Sequence, residues 1–379
     1  MPAVPPDIGS EFHWDPSLLT GGGPPWLPPR HELFATGCGA LAALLLRLSP
    51  AGRLHLPTYF CIGVAEWLSA RIPIAWYRHL PDGRGPRWET LRVRDGDLVL
   101  AQNLFGRDDG SPWLDWMRAH PGIVVVEDHS HDPVGEWARA SQAPYALASL
   151  RKTLPVPDGG LLWSPRGLDL PRPAGGASPG TELKLAGMLL KAAWLAGRPV
   201  PRETFRSLQG RGEGELLGSG GPAHALTAAA LPLLDAYAIR RRDAANARAL
   251  TAALSPKAAS QPDISPTPAI SPAVDASGWR LLGAGPFRVQ LLCRSQNGRD
   301  ALLRHLAAHH IFAPVHWRQD RTAFWSGDPE AAALADRMLT LPVDHRCSPA
   351  DVRRTAEVLR AAAESAAQRR PATGPAPAA

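Results

Sequence analysis

Short apolar runs alternate with longer, helix-periodic segments over the first half of the chain. Residues 123–127 (Ile-Val-Val-Val-Glu) are β-branched and apolar, which is typical of a central strand buried on both faces of a parallel sheet. The pattern predicts strands at 53–56, 72–77, 97–102, 123–127, 145–150 and 160–163, and helices at 37–48, 62–70 and 112–119. This alternation predicts right-handed strand–helix–strand units, and therefore a parallel sheet covered by helices on both faces.

The second half of the chain is less regular. Two stretches rich in glycine and proline, 164–180 and 210–222, are predicted to be loops, and residues 255–277 are a low-complexity linker. Long helical segments are predicted at 181–196 and at 223–254, the latter kinked at Pro232. The pattern then predicts strands at 287–293 and 338–341, helices at 298–309 and 349–364, and an extended piece at 314–317.

These patterns divide the chain into an arm, two α/β domains and a tail. The arm, residues 1–30, is rich in proline and glycine and is predicted to be extended. A large domain with a mostly parallel sheet is predicted over 31–235, and 236–368 hold a connecting helix and a smaller C-terminal α/β domain. Residues 369–379 are predicted to be disordered.

Composition narrows the class of protein. Hydrophobic residues make up 45% of the 379 residues and charged residues 20%, as in globular proteins. No apolar run reaches the roughly 18 residues of a membrane span, and the first residues lack a secretory leader pattern, so we expect a cytoplasmic protein. The four cysteines form no CxxC pair, which argues against a zinc site. The net charge of +6 is spread thinly along the chain, which argues against nucleic-acid binding.

Lysine is scarce in this chain. Of the 41 basic residues, four are lysines (Lys152, Lys184, Lys191 and Lys257), and the remaining 37 are arginines. The two residue types solvate a surface about equally well, but only lysine offers a reactive primary amine. Each lysine is therefore a candidate for amine chemistry.

Three features are predicted at one edge of the sheet. Asp128 directly follows the strand at 123–127, and Lys152 follows the strand at 145–150 after one residue. Residues 36–40 (Thr-Gly-Cys-Gly-Ala) open a helix, whose free N–H groups attract an anion. Each feature alone also fits a helix cap, a surface residue or a tight turn. Together they favour a cofactor with a phosphate, an aldehyde and a basic ring nitrogen, which is pyridoxal 5′-phosphate (PLP).

The block from residue 127 to residue 160 resembles the DegT/DnrJ/EryC1/StrS group of sugar aminotransferases, which are PLP enzymes of fold type I. That family has Glu-Asp at a strand end, Gln or His three residues after the Asp, and a lysine followed at +7 and +8 by Gly-Gly. The corresponding residues here are Asp128, His131, Lys152, Gly159 and Gly160. Similarity also extends to 36–41, 242–250 and 339–352, so the resemblance implies fold type I over nearly the whole chain.

The resemblance implies a role for each site residue. Lys152 would form the internal aldimine and act as general acid and base, and Asp128 would keep the pyridinium protonated. His131 would contact the ring 3′-oxygen or pack beside it, although a structural histidine fits as well. His129 would stack, bind substrate or face the core. The phosphate would lie at Gly37, Cys38 and Gly39 with Ser149, and Tyr59 or Phe60 would stack on the ring. No metal is expected.

The chain also departs from the family pattern. Ser149 lies three residues before the lysine rather than about five, and Cys38 and Gly39 replace hydroxyl residues. The family's Asn-Tyr-Arg motif has no clear counterpart at 218–223. The resemblance implies a homodimer with a shared active site, to which the arm or the stretch 210–222 would contribute.

Other motifs compete with this interpretation. Residues 176–180 match the GxSxG pattern of serine hydrolases, but Pro179 lacks the N–H group that the oxyanion hole of such enzymes requires. His305 and His309 lie four residues apart on a predicted helix, which is a spacing that could bind a metal ion. The carboxylate of a HExxH motif is missing, which argues against such a site. Residues 210–214 resemble a phosphate loop but lack a preceding strand, and are predicted to be a mobile loop.

Aminotransfer between small-molecule donor and acceptor substrates, in sugar or secondary-metabolite biosynthesis, is the expected function. One alternative is a PLP enzyme that catalyses elimination, replacement or carbon–carbon bond formation on an amino acid. Another is a non-catalytic regulator with the same fold, against which the pair of Asp128 and Lys152 argues. The sequence does not identify the substrate.

Overall fold

The computed structural model describes residues 6–255, 278–318 and 324–368. Its strands are β1 (Ile8–Gly9), β2 (His31–Phe34), β3 (Leu54–Pro57), β4 (Ile74–Tyr77), β5 (Leu98–Gln102), β6 (Val124–Asp128), β7 (Tyr145–Ser149), β8 (Gly160–Trp163), β9 (Trp279–Ala284), β10 (Arg288–Cys293), β11 (Ile311–Phe312) and β12 (Met338–Pro342). Its helices are α1 (Gly37–Leu48), α2 (Ile62–Ser69), α3 (Ser111–Ala119), α4 (Glu136–Ala140), α5 (Pro179–Leu195), α6 (Arg202–Leu216), α7 (Ala225–Ala230), α8 (Ala236–Leu254), α9 (Gln296–Ala308), α10 (Pro329–Arg337) and α11 (Pro349–Gln368).

A seven-stranded sheet forms the centre of the larger part of the molecule. Its strand order is β2-β8-β7-β6-β5-β3-β4, and the five strands from β7 to β4 are parallel. β8 runs antiparallel to both β7 and β2. Separate apolar clusters cover the sheet, one of which includes Leu41 and Leu44 of α1, and another Trp113 and Met117 of α3. The predicted parallel sheet covered by helices is therefore confirmed.

A second sheet of three antiparallel strands, in the order β9-β10-β12, lies in the C-terminal part of the chain. It packs with α8, α9 and α11 around a core that contains Val289, Leu306 and Leu359. A further apolar cluster contains Tyr59 and Phe105 from the first part, and Leu282 and Met338 from the second. This cluster places the small sheet against the carboxyl-end edge of the large one.

The segment 7–14, which we call the N-terminal strap, lies between the two parts. Its β1 pairs in parallel with β11, and Asp7 forms an ion pair of 2.6 Å with Arg202 at the start of α6. Glu11 accepts a hydrogen bond of 2.8 Å from Lys184 of α5, and its carbonyl oxygen accepts one of 3.0 Å from Arg346. The strap therefore connects the α5–α6 pair to the small sheet.

Several elements differ from the prediction. Residues 210–216, predicted to be part of a mobile loop, belong to α6, so that prediction is wrong. The segment 223–254 is interrupted by a 3-10 turn at 231–233 that contains Pro232, so two helices replace one kinked helix. Strands β2 and β9 and helix α10 were not predicted. The predicted linker falls almost wholly, and the predicted tail entirely, outside the described residues. Among the described helices, none is long and apolar enough to cross a membrane.

Candidate active site

Asp128 and Lys152 lie at the same edge of the large sheet, as the sequence predicts. Asp128 is the last residue of β6 and is paired with Leu147 of the parallel strand β7. Lys152 ends the 3-10 turn 150–152 that follows β7 directly. Because parallel strands present their carboxyl ends at one edge, the two side chains face the same space.

Among the lysines in the described part of the chain, Lys152 is the one whose amine forms neither a hydrogen bond nor an ion pair. By contrast, Lys184 donates to Glu11 and Glu213 at 2.8 and 2.9 Å, and Lys191 donates to the Ser10 hydroxyl at 2.7 Å. Lys257 lies outside the described residues. The three lysines in the described ranges therefore comprise two structural residues and one available amine.

The Asp128 carboxylate is buried, with 8% of the residue exposed. Its Oδ1 accepts a hydrogen bond of 2.9 Å from the N–H of Ser130, and the Ser130 hydroxyl in turn accepts one of 2.9 Å from the N–H of Ser149. These bonds fix the carboxylate relative to the end of β7. A buried carboxylate held in this way suits a cationic ring nitrogen.

Helix α1 begins at the same edge. The Thr36 hydroxyl accepts the N–H of Gly39 at 2.9 Å, and among the described residues the N–H groups of Gly37 and Cys38 have no acceptor. A Cβ at Gly39 would collide with the Ser219 carbonyl, and a Cβ at Gly160 with that of Thr36. The glycines therefore permit close packing at the helix start. These two N–H groups without an acceptor and the helix dipole are suited to an anion.

The two other residues predicted at the phosphate also lie at this helix start. The Ser149 Cβ would lie 3.4 Å from a Cβ built on Gly37, so the serine borders the same space. Burial raises the pKa of the Cys38 thiol to about 11, although the charge of Lys152 opposes this shift. Cys38 is therefore a neutral thiol at physiological pH, and its backbone is the part available to an anion.

His131 is buried between aromatic rings. Its Nδ1 accepts a hydrogen bond of 2.9 Å from the N–H of Phe105, and its ring stacks on those of Phe105 and Trp317, at 5.1 and 5.8 Å between centroids. Burial, followed by the positive charge of Lys152, holds the pKa of His131 well below its usual value. The imidazole is therefore neutral with its proton on Nε2, because Nδ1 is an acceptor.

The two aromatic candidates point in different directions. Tyr59 is fully buried in the cluster between the two parts of the molecule, and its hydroxyl donates to the His316 carbonyl. Phe60 packs in the core under α1, and its ring centroid lies 6.5 Å from that of Trp317. The choice between the two as the stacking residue stays a prediction. His129 faces the core, where its Nε2 lies 3.0 Å from Glu127.

Sequence reasoning missed residues that other segments bring to this edge. Phe105 follows β5, the neighbour of β6, and its position after a strand was a usable signal. His316 and Trp317 come from the C-terminal part, about 165 residues after Lys152. Burial, then Arg288 and Lys152, lowers the pKa of His316 to about 3, so these groups lie near one another. No local pattern indicates that proximity.

The competing motifs have structural explanations. Ser178 is the N-cap of α5, where its hydroxyl accepts the N–H of Gly180, so it is not a strand-to-helix nucleophile. The rings of His305 and His309 contact one another in a tilted arrangement, with 4.5 Å between their centroids. Across the described ranges, no group of three or more His, Cys, Asp or Glu side chains is arranged to hold a metal ion.

The chain was compared with known proteins. No protein-family model matches it, and no curated protein matches it in sequence. Solved structures do match. Spr1654 of Streptococcus pneumoniae, assigned as a sugar aminotransferase and solved in its PMP form, is 15% identical with a TM-score of 0.58, over 90% of this chain and 87% of its own. The chain has fold type I of the PLP enzymes.

Two further structures agree with this assignment of the fold. A DegT DnrJ EryC1 StrS aminotransferase from Brucella abortus is 15% identical with a TM-score of 0.57, over 88% of this chain and 85% of its own. DesV of S. venezuelae is 16% identical with a TM-score of 0.57, over 89% and 86%. At such identities the likeness establishes the architecture of fold type I, whereas the chemistry depends on the site residues.

Proposed function

We propose that this protein is a PLP-dependent aminotransferase of the DegT/DnrJ/EryC1/StrS family. The observation that carries the proposal is the amine of Lys152, which has no partner in the described part of the chain and shares the sheet edge with Asp128 and the start of α1. The solved aminotransferases with the same fold support the reaction class.

The residues at this edge fit the three polar groups of the cofactor. The N–H groups of Gly37 and Cys38, with Ser149, would hold the phosphate, and the buried Asp128 carboxylate would hold the ring nitrogen. Lys152 provides the amine for covalent attachment. When bound, PLP supplies an electron sink that stabilises negative charge at the substrate Cα.

The protein residues would then control protons. Lys152 Nζ is the base that would remove the proton from the Cα of the amino donor, and the acid that returns it. Burial keeps the imidazole of His131 uncharged. Because its Nδ1 is an acceptor, its Nε2–H is the group that can donate a hydrogen bond. Trp317 and Phe105 stack with His131, and these rings would exclude water from that side of the site.

We further propose a cytoplasmic homodimer that acts on sugar or secondary-metabolite substrates. An open groove of about 1000 Å³ runs beside α1, and 80% of Leu46 in its lining is exposed. Its other lining residues include Trp67, Gly218, Gly220 and Gly221. The groove reaches Gly39 at the candidate phosphate site, so a second subunit seated there would adjoin that site. The assignment of Spr1654 as a sugar aminotransferase supports the proposal of a sugar substrate.

The proposal is tested by locating the cofactor. The purified protein incubated with PLP is expected to absorb at about 410–430 nm, and borohydride reduction followed by peptide mapping should place the cofactor on Lys152. Lys152→Ala should abolish that adduct, whereas Lys184→Ala and Lys191→Ala, which alter the two partnered lysines, should retain it. An adduct on another lysine, or none at all, contradicts the assignment.

Incubation with an amino donor then separates the reaction classes. Conversion of bound PLP to the amine form of the cofactor supports aminotransfer. Release of a small fragment or formation of a new carbon–carbon bond supports the alternative chemistries. A bound cofactor that reacts with none of the standard amino acids or sugar amines supports a regulator.

A further inference from the structure

Phe105 is held in a strained conformation in the turn that follows β5 (residues 103–108). It is fully buried and has φ 59° and ψ 16°, in the left-handed region that favours glycine. For a residue with a large side chain this conformation is costly, and it persists only where the surrounding structure enforces it. Strain of this kind clusters at functional sites, so the contacts of the turn indicate what it positions.

In this conformation the backbone of Phe105 is bonded to His131. Its N–H donates to His131 Nδ1 at 2.9 Å, and its ring stacks on the imidazole with 11° between the two planes. A neutral imidazole that accepts a hydrogen bond at Nδ1 carries its proton on Nε2. One residue therefore fixes both the orientation of the His131 ring and the nitrogen that can donate.

Among the described residues, Phe105 is the one hydrogen-bond partner of the His131 imidazole. The remaining ring contacts of His131 are with Phe287, His316 and Trp317, at 5.8 to 6.2 Å between centroids. Such contacts restrain a ring but do not distinguish its two nitrogens. The turn 103–108 is therefore the part of the described chain that selects the tautomer of His131.

Asp108 and Asp128 hold the two ends of this turn. The Oδ2 of Asp108 accepts the N–H of Leu104 at 2.7 Å, which ties the end of the turn back to its beginning. The N–H of Asn103 donates to the carbonyl oxygen of Asp128 at 2.9 Å, which ties the turn to the end of β6. Both bonds flank Phe105, so they restrict the direction of its N–H group.

The small sheet packs against the opposite side of the turn. A Cβ built on Gly285, in the connection between β9 and β10, would collide with the carbonyl oxygen of Phe105. A Cβ built on Gly106 would lie 2.8 Å from Cδ of Pro286 in the same connection. Backbones that approach so closely require residues without a side chain. The strained residue is therefore enclosed between the ends of the large sheet and the small sheet.

We propose that Asp108 and Gly285 are positioning residues that act through Phe105 to keep the proton of His131 on Nε2. This inference rests on the proposed function only for the ligand that the Nε2–H group meets, because the tautomer is a property of the protein itself. Asp108 holds the turn from within, and Gly285 allows the small sheet to pack on it. The donor nitrogen of His131 therefore depends on how the two parts of the chain pack together.

The test is nuclear magnetic resonance of the full chain with 15N-labelled histidine, at pH 7, without cofactor and after incubation with PLP. The chemical shifts of Nδ1 and Nε2 report which nitrogen carries the proton, and comparison with His131→Asn identifies the signals of His131. In the wild type we expect the proton on Nε2. Asp108→Ala should lower the ratio of the Nε2–H form to the Nδ1–H form by about 2- to 10-fold, the effect of one hydrogen bond.

Two aspartate variants separate the hydrogen bond from other effects. Asp108→Asn keeps an acceptor for the N–H of Leu104 and should leave the ratio of the two forms as in the wild type. Asp109→Ala removes the neighbouring carboxylate, which binds the N–H and hydroxyl of Ser111 instead, and should also leave the ratio unchanged.

A pair of glycine variants tests the contact with the small sheet. Gly285→Ala should lower the ratio as Asp108→Ala does, because the added methyl group displaces the Phe105 carbonyl. Gly298→Ala is the matched control on α9, where the methyl group meets Ser295 Oγ at an ordinary distance of 3.4 Å, and it should leave the ratio unchanged.

A folded Asp108→Ala variant with the wild-type ratio overturns the inference, and Gly285→Ala is judged by the same criterion if Asp108→Ala does not fold. Wild-type protein whose His131 carries its proton on Nδ1 also overturns it, as does an Asp108→Asn variant that behaves like Asp108→Ala. Absence of a cofactor adduct on Lys152 would instead refute the proposed function, while the measurement without cofactor still decides the roles of Asp108 and Gly285.

Discussion

Glu213 allows a quantitative prediction about the support beneath Lys152. Its carboxylate forms a bidentate pair with Arg151, with both contacts at 2.7 Å, and accepts a hydrogen bond of 2.9 Å from the buried Lys184. Arg151 directly precedes Lys152 in the 3-10 turn. Removing the charge of Glu213 therefore deprives both Arg151 and the buried Lys184 of this anion.

The size of the effect follows from the carboxyl pKa. Burial opposes ionisation, but the charges of Arg151 and Lys184 and their hydrogen bonds prevail and lower the pKa of Glu213 from 4.5 to about 2. A shift of that size corresponds to about 3 kcal/mol. Because 45% of the side chain is exposed, solvent screening reduces this figure, and we expect Glu213→Gln to lower the free energy of unfolding by about 1 to 2 kcal/mol at pH 7.

The sign of the pH dependence follows from the direction of the shift. A depressed carboxyl pKa stabilises the fold above the unfolded value of 4.5, and this contribution is lost as the pH falls towards 2. The difference between wild type and Glu213→Gln should therefore be constant from pH 6 to 8 and shrink to about half near pH 3.

Urea unfolding at several pH values measures this difference. Glu215→Gln, an exposed carboxylate on the same helix, is the matched control and should change stability by less than about 0.5 kcal/mol. If Glu213→Gln is as stable as the control at pH 7, or if its deficit grows on acidification, the ion-pair reasoning is wrong.

Two other predictions concern the cofactor ring and the subunit interface. Asp128→Asn keeps the shape of the side chain but removes its charge, so PLP should still bind while turnover falls by orders of magnitude. Turnover is measured as consumption of the amino donor, and a near-normal rate would refute the role of Asp128. Leu46→Glu places a charge in the groove beside α1 and should dissociate the proposed dimer in sedimentation velocity, whereas Leu189→Glu, at an equally apolar exposed position on α5, should leave it intact. A wild-type protein that sediments as a fully active monomer would contradict the interface.

The sequence was most informative where local pattern and chemistry coincide. Helix α1 was predicted with its observed bounds, because a glycine start is followed by apolar residues at helical spacing. Helix α6 was missed because Gly210, Gly212 and Gly214 resemble a loop. The structure shows another use for Gly212, where a Cβ would lie 2.6 Å from the Gly180 carbonyl of α5. This glycine permits two helices to pack closely.

The difference between what local pattern predicts and what packing determines also applies to the candidate site. Asp128 and Lys152 were placed at one edge because both lie at the carboxyl ends of strands that the apolar pattern predicts. His316 and Trp317 reach that edge through packing of the C-terminal part against the large sheet, which is a long-range contact without a sequence motif. Their contribution becomes visible only when the two parts of the chain are brought together.

The N-terminal strap has a consequence for the order in which the chain folds during synthesis. Asp7 contacts His310, which is 303 residues further on, and Arg346 donates to the carbonyl oxygen of Glu11 across 335 residues. Segments with such distant partners gain their contacts last, because the ribosome must first deliver the partner. The strap can contact Lys184 and Arg202 once α5 and α6 have been synthesised, but its pairing with β11 and with Arg346 is complete only after residue 346.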